Sequence, residues 1–184
     1  MNLMRDPHKV PLQLALGGIF AALVFIVTGL VPWIPIPATG GFFNFGETVI
    51  YIAALLFGPL TGGVAGGIGA SLADAYTGFA AYAPGTFAIK TVEGALVGFL
   101  NWKLRQRFRN TTLCASIAGT VGGLEMVLGY FLYSQLVLGY PLAGALAEVP
   151  FNLAQMVIGL AVAVPVMHAV LRVFPQLKSQ LSIS

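Results

Sequence analysis

Long apolar stretches punctuated by Gly and Pro, with very few charges inside them, make up nearly all of this chain. Val10 to Val31 is the first stretch, followed by Pro32, Pro35 and Pro37. Glu47 to Phe57 is shorter and turns at Gly58-Pro59, Leu60 to Gly78 follows, and Pro84 to Trp102 is the fourth. Thr111 to about Leu138 and Glu148 to Val173 complete the set. A helix needs roughly 20 apolar residues to cross the hydrocarbon of a bilayer, so the pattern predicts about six helical spans. Between the first two spans lies a loop rich in Pro and Gly that carries Trp33, Phe42, Phe43 and Phe45.

The third stretch carries Gly62, Gly63, Gly66, Gly67, Gly69 and Ala70, which form overlapping small-xxx-small pairs. In lipid, such faces let backbones approach and gain van der Waals contact. Neither GxxxxGK[ST] nor a GxGxxG following a strand is present, so these glycines read as packing rather than a phosphate cradle. Gly18 and Ala22, four apart in LALGGIFAALVF, make a second small face on the first helix. It suits either packing within the bundle or docking on another membrane subunit.

Composition turns the pattern into a class. The chain is 58% hydrophobic and 8% charged, with a mean hydropathy of +0.89, far more apolar than a soluble domain. Its 184 residues suit a single transmembrane domain spanning 1–184. The lone Cys114 excludes an internal disulfide and a multi-cysteine metal site. Arg5 and Lys9 before Val10 resemble the start of a signal peptide, but the apolar run is too long and no small-residue cleavage site follows.

Charge then sets orientation. Arg5, Lys9, Lys103, Arg105, Arg107, Arg109, Arg172 and Lys178 all fall at one set of span ends, so both termini are expected on the cytoplasmic side. The net charge of +3 reads as topology and contact with lipid headgroups, not as nucleic-acid binding. Lys90 alone is left at membrane depth, where an ionisable group is a functional hypothesis by default.

Lys90 and Glu93 are three apart in FAIKTVEGALVG, hence on one helix face. They form either an internal ion pair or part of a water-filled external cavity for a polar solute. Asn152 and Gln155 in PFNLAQMVIG have the same spacing, and amides in lipid must bond a neighbouring helix or a ligand edge. Each amide carries both donor and acceptor, as heterocyclic vitamins do. Asp74 and Glu125 also need partners or water, while Glu47 and Glu148 are expected to begin spans at the external interface, stabilised by the helix N-terminus. Tyr76, Phe79 and Tyr82 join the loop aromatics at the external ends, as an interfacial belt or as the lid of an apolar site. HExxH, GxSxG and clustered His are absent, with His8 and His168 far apart in sequence, so no enzyme and no metal or organic cofactor is expected.

The run GGFFNFGETVIYIAALLFGPLTGGVAGGIGASLADAYTGFAAYAPGTFAIKTVEGALVG, then a basic connection and VPFNLAQMVIG, resembles the substrate-binding S component of energy-coupling factor (ECF) transporters over essentially the whole chain. The resemblance implies an all-α integral membrane bundle of six transmembrane helices in a prokaryotic plasma membrane. It implies capture of a B vitamin or precursor, with a transmembrane coupling subunit and two cytoplasmic ATPases as partners. Gly18 and Ala22 would meet the coupling subunit, and Phe43, Asn44, Glu47, Tyr82, Lys90, Glu93, Asn152 and Gln155 would form the binding site. Riboflavin, a pyrimidine precursor of thiamine, a pyridoxine-type vitamin and pantothenate are all admissible ligands. The competing expectation is a secondary transporter or channel that moves a small polar solute unaided.

Overall fold

The computed structural model describes residues 10–31, 34–36, 39 and 41–175. Arg5, His8, Lys9, Pro32, Trp33, Pro37 and Lys178, which figure in the reading above, lie outside the described residues. The architecture is helical: α1 Val10–Gly29, α2 Gly46–Phe57, α3 Pro59–Thr77, α4 Ala83–Arg107, α5 Thr111–Leu136 and α6 Leu142–Val173. Between α1 and α2 the chain makes a short antiparallel ladder, β1 Ile34–Pro35 with β2 Phe42–Phe43, which the apolar pattern does not foretell.

Local chemistry explains the breaks. Gly58 separates α2 from α3 at φ +90°, a backbone state that side chains resist, and Pro59 then opens α3 at its first position. Gly78 ends α3 in the left-handed conformation, its N–H bonded to the Asp74 carbonyl. Asn110 caps α5 by accepting from the Leu113 N–H at 3.0 Å. The basic connection is mostly helical, because α4 continues through Lys103 and Arg105 to Arg107.

The sixth helix differs from expectation in a way that matters. It starts at Leu142, so Glu148 sits within the helix and is buried, not at an interfacial N-terminus. Pro150 and Pro165 lie inside this helix, as lipid-embedded helices tolerate when neighbours satisfy the freed backbone groups. Glu47 does lie in the first turn of α2, yet it too is buried.

The helices α1, α5 and α6 are long and apolar enough to cross a membrane. Their outward faces carry Leu14, Ile19, Leu23, Ile26, Leu128 and Val162, an apolar exterior suited to acyl chains rather than water. Inside, glycine sets the distances. On α3, a Cβ at Gly62 would come within 2.6 Å of the Gly94 carbonyl oxygen of α4, and one at Gly69 within 2.5 Å of the Ala21 carbonyl oxygen of α1. A Cβ at Gly62 would also come within 2.6 Å of the Ala54 Cβ of α2, so the small residues serve three neighbours, α4, α1 and α2. Gly17 of α1 faces Val64 of α3, whereas a Cβ at Gly18 would meet nothing within 4 Å and Ala22 is exposed. One end of the bundle gathers β1–β2, the α3–α4 turn and the α5–α6 turn; the basic residues Lys103 to Arg109 and Arg172 lie at the other.

Candidate functional site

Lys90 projects from the N-terminal third of α4 and is 5% exposed. Its Nζ is hydrogen-bonded to Glu47 Oε2 of α2 and, at 2.9 Å, to Glu93 Oε2 one turn along its own helix. Tyr51 donates its hydroxyl to Glu93 Oε1 at 3.2 Å, and the Lys90 ammonium lies 5.6 Å from the centre of the Tyr130 ring. An unpaired charge at this depth costs several kcal/mol, and three buried side chains from two helices neutralise most of it. The triad is not balanced: two carboxylates share one ammonium, and Glu47 Oε1 is buried with no hydrogen-bond partner.

Beyond the triad, hydroxyl donors lead to two further carboxylates, Asp74 and Glu148. Tyr130 donates to Thr86 Oγ1 at 3.0 Å, and Thr86 donates to Asp74 Oδ2 at 2.5 Å, joining α5, α4 and α3. Glu148 accepts from Tyr82 at 2.7 Å through Oε1 and from Ser134 at 2.7 Å through Oε2. On α6, Gln155 donates its amide to Asn152 Oδ1 at 3.1 Å and accepts from the Asn44 backbone N–H at 2.8 Å. The Asn44 side chain closes its own turn by accepting from the Gly46 N–H at 2.9 Å.

Several of these groups, Asp74, Lys90, Tyr130 and Glu148 among them, wall a chamber of about 50 Å³ under the β1–β2 loop. Asn44, Tyr82, Lys90, Asn152 and Gln155, five of the residues expected from sequence, line it. Phe43, Glu47 and Glu93 do not: Phe43 is buried edge-on against Phe45, and the two glutamates lie behind Lys90. Sequence reading passed over Tyr130, Ile36 and Gly41 as site residues, offered Phe42 only among the aromatics of a lid or interfacial belt, and placed Glu148 at the surface although it lines the chamber. Only Asp74 and Glu148 carried a signal, namely charge within an apolar run; nothing local marks Tyr130. Phe42 stacks on Phe79 of the α3–α4 turn with centroids 4.7 Å apart, and Tyr140 donates to the Thr39 carbonyl at 2.6 Å, fixing the loop from two sides.

The chamber has room for only a few waters, since each needs about 10–15 Å³. A vitamin-sized ligand needs about 300 Å³ or more, so binding one requires the chamber to widen. A larger cavity, about 200 Å³, opens at the opposite end among Phe57, Leu60, Trp102, Gln13 and Asn101. Its wall has no ionisable group among the described residues, so the polar chamber is the better candidate for recognising a hydrophilic solute. Glu125, half-buried on α5, keeps one oxygen without a partner and is outside both linings. No grouping of His, Cys, Asp and Glu among the described residues could hold a metal ion.

Comparison with known proteins gives this architecture a family. A model of the S component of ECF-type riboflavin transporters matches residues 10–172. An uncharacterized protein in a gap 3′ region of Pyrococcus woesei is 41% identical over 138 residues, covering 74% of this chain and 86% of that one. A bacterial protein solved as the S component of an ECF transporter shares the fold with a TM-score of 0.63 and 15% identity, over 88% of this chain and 96% of its own. Such S components are membrane-embedded substrate-binding subunits rather than enzymes. With an apolar exterior, six helices among its described residues and a polar chamber at one end of the bundle, the chain belongs to the ECF-type riboflavin transporter S component family.

Proposed function

We propose that the chain captures riboflavin from the outer side of a prokaryotic plasma membrane and passes it on with a transmembrane coupling subunit and two cytoplasmic ATPases. In this reading all six helices cross the bilayer within a single domain, and both termini are cytoplasmic. The chamber then opens outward, because it lies at the end opposite Lys103, Arg105, Arg107, Arg109 and Arg172. The observation that carries the proposal is the wall itself. The flavin ring has a pyrimidine edge that needs donors and acceptors together, which Asn152, Gln155 and Asn44 supply. Its ribityl chain brings hydroxyl donors, for which Glu148 and Asp74 are acceptors. Tyr82, Tyr130, Phe42 and Phe79 offer the aromatic surface that a flat ring requires.

The energy of release comes from the partners, since a binding protein alone cannot accumulate its ligand. Quenching of flavin fluorescence by the purified protein in detergent tests the ligand, and saturable one-to-one binding is expected. Liposomes containing this chain alone should not accumulate riboflavin, and liposomes with the coupling module and ATP should. Failure to bind riboflavin removes the ligand assignment, and uptake without partners removes the division of labour. Orientation is tested with Ala80→Cys in the α3–α4 turn and Arg109→Cys in the α4–α5 connection, both exposed positions. A membrane-impermeant thiol reagent should label the first from outside and the second only after permeabilisation.

A further inference from the structure

The cavity at the basic end of the bundle has no part in the proposed capture of riboflavin, and its wall has a chemistry of its own. α1 and α4 both pack on α2 and α3, and the cavity fills the corner left between them at the α2–α3 turn. Residue 59 is a proline, so the Leu55 carbonyl has no N–H four positions on to receive, and Asn101 Nδ2 supplies the missing donor at 3.2 Å. That bond fixes Asn101 in the cavity wall, buried, with its Oδ1 left without a hydrogen-bond partner. One turn further along α4, Arg105 keeps a buried Nη1 without a partner as well. Val10, Phe57 and Leu60 make the wall largely apolar, and Gln13 of α1 and Trp102 of α4 add an amide and an indole N–H. The Trp102 ring stands 6.0 Å from that of Phe99, over which the Lys103 ammonium lies at 5.8 Å.

We propose that this cavity seats one acyl chain of an anionic phospholipid from the leaflet at the basic end, with the ester region against Gln13 and Trp102 and the phosphate toward Lys103 and Arg105. At about 200 Å³ the space is too small for a vitamin-sized molecule, yet larger than the apolar cavity of about 150 Å³ that holds a benzene ring, so a stretch of hydrocarbon fits it. The amide and the indole N–H are donors for ester carbonyls, and a tryptophan beside basic residues is the arrangement found at the level of lipid headgroups. Lys103, Arg105, Arg107 and Arg109 gather at this end and attract a negative headgroup, which a zwitterionic lipid does not match. The unpartnered guanidinium N–H of Arg105 is a donor that a phosphate oxygen completes. The lipid thus fills a corner between α1 and α4 that no side chain fills. The proposal needs the chain to be membrane-embedded, and it is independent of which vitamin the polar chamber takes.

The sequence has two tryptophans, Trp33 and Trp102, so Trp33→Phe leaves Trp102 as a single reporter. This protein is reconstituted in phosphatidylcholine vesicles with rising fractions of phosphatidylglycerol brominated near the ester end of its chains, and in a parallel series with phosphatidylcholine brominated at the same place. Half-maximal quenching of Trp102 is expected at a mole fraction at least about 5-fold lower for phosphatidylglycerol, the factor that one cation near a membrane surface supplies. Adding Gln13→Phe or Leu60→Phe, each of which puts a ring into the cavity, should remove the saturable quenching. Lys103→Gln with Arg105→Gln should bring the two lipids to the same midpoint, and Lys103→Gln alone should narrow the gap if the double variant fails to fold. Flavin binding should persist in all of them, since none of these residues lines the polar chamber. Equal midpoints before any charge is removed overturn the proposal, and so does saturable quenching that survives in both ring-filled variants, which would place the lipid outside the cavity. A Trp102 signal that answers to the coupling subunit and to neither brominated lipid gives the cavity to a protein partner and overturns it too.

Discussion

The carbonyl oxygen of Lys90 lies 2.6 Å from where a Cβ on Gly66 would stand. The contact joins the packing of the bundle to its chemistry, because α3 can approach the outer part of α4 only where α3 has no side chain. Ile50 of α2 closes the same gap, its Cγ2 at 3.3 Å from that Cβ position. Gly66→Val should push α4 outward and carry the Lys90 ammonium away from Glu47. The expected result is a loss of about 1–3 kcal/mol of stability, read by thermal unfolding in detergent, together with weakened ligand binding. A variant with wild-type melting and affinity would show that the helix pair is looser than its glycines imply.

Removing the cation should cost more than removing either anion. Lys90→Met leaves Glu47 and Glu93 facing each other in a buried site, and breaking one side of such a pair typically costs about 3–5 kcal/mol. Lys90→Met combined with Glu47→Gln and Glu93→Gln relieves the repulsion and should regain much of the lost stability. The two proteins are compared by their midpoints in a denaturant or thermal series. Equal midpoints would mean that the glutamates are already neutralised by other means.

Amide truncation on α6 separates two roles. Asn152→Ala and Gln155→Ala should each weaken riboflavin binding by about 10-fold, the worth of one or two hydrogen bonds in a protected site. Membrane insertion should be unaffected, since both substitutions make the helix more apolar. Fluorescence titration gives the affinities, and unchanged values in both variants would displace the site from these amides.

The open face of α1 makes a contrasting case. Gly18 has no neighbour for a side chain to strike, so Gly18→Leu should leave melting and riboflavin affinity as they are. Uptake by the assembled transporter should fall to background if this face meets the coupling subunit, because close approach of two helices depends on small residues there. Gly17→Leu is the control, since Val64 already lies 2.8 Å from its Cβ position and the fold itself should suffer. Undiminished uptake by the Gly18 variant would place docking elsewhere.

Apolar length alone specifies α1, α3 and α5 to within a few residues, since their ends coincide with Pro, Gly or an Asn cap. The start of α6 is hidden for a physical reason: Glu148 and Pro150 look like an N-terminus in isolation, and only Tyr82 and Ser134, distant in sequence, make a carboxylate tolerable two turns inside the helix. The Lys90–Glu93 contact is visible because it repeats at helical spacing. The stronger partner, Glu47, is 43 positions away and emerges only when α2 packs on α4. Tyr130 has no local mark at all, because a tyrosine on an apolar helix is ordinary until its neighbours are known. Periodicity thus identifies which groups need partners, and tertiary packing decides who the partners are.

The bond from the Asn44 backbone to the Gln155 amide has a thermodynamic consequence. The protein presents its own main chain to the acceptor that riboflavin would use, so the loop acts as a tethered competitor at high local concentration. Measured affinity is then the intrinsic affinity scaled down by the fraction of molecules whose loop is raised. Tyr140→Phe, which deletes the anchor on Thr39 without touching the chamber wall, should therefore tighten equilibrium binding while shortening the ligand's residence. Weak self-association of this kind lets a transporter subunit keep its polar interior satisfied between one cargo and the next, without ever exposing it to the hydrocarbon.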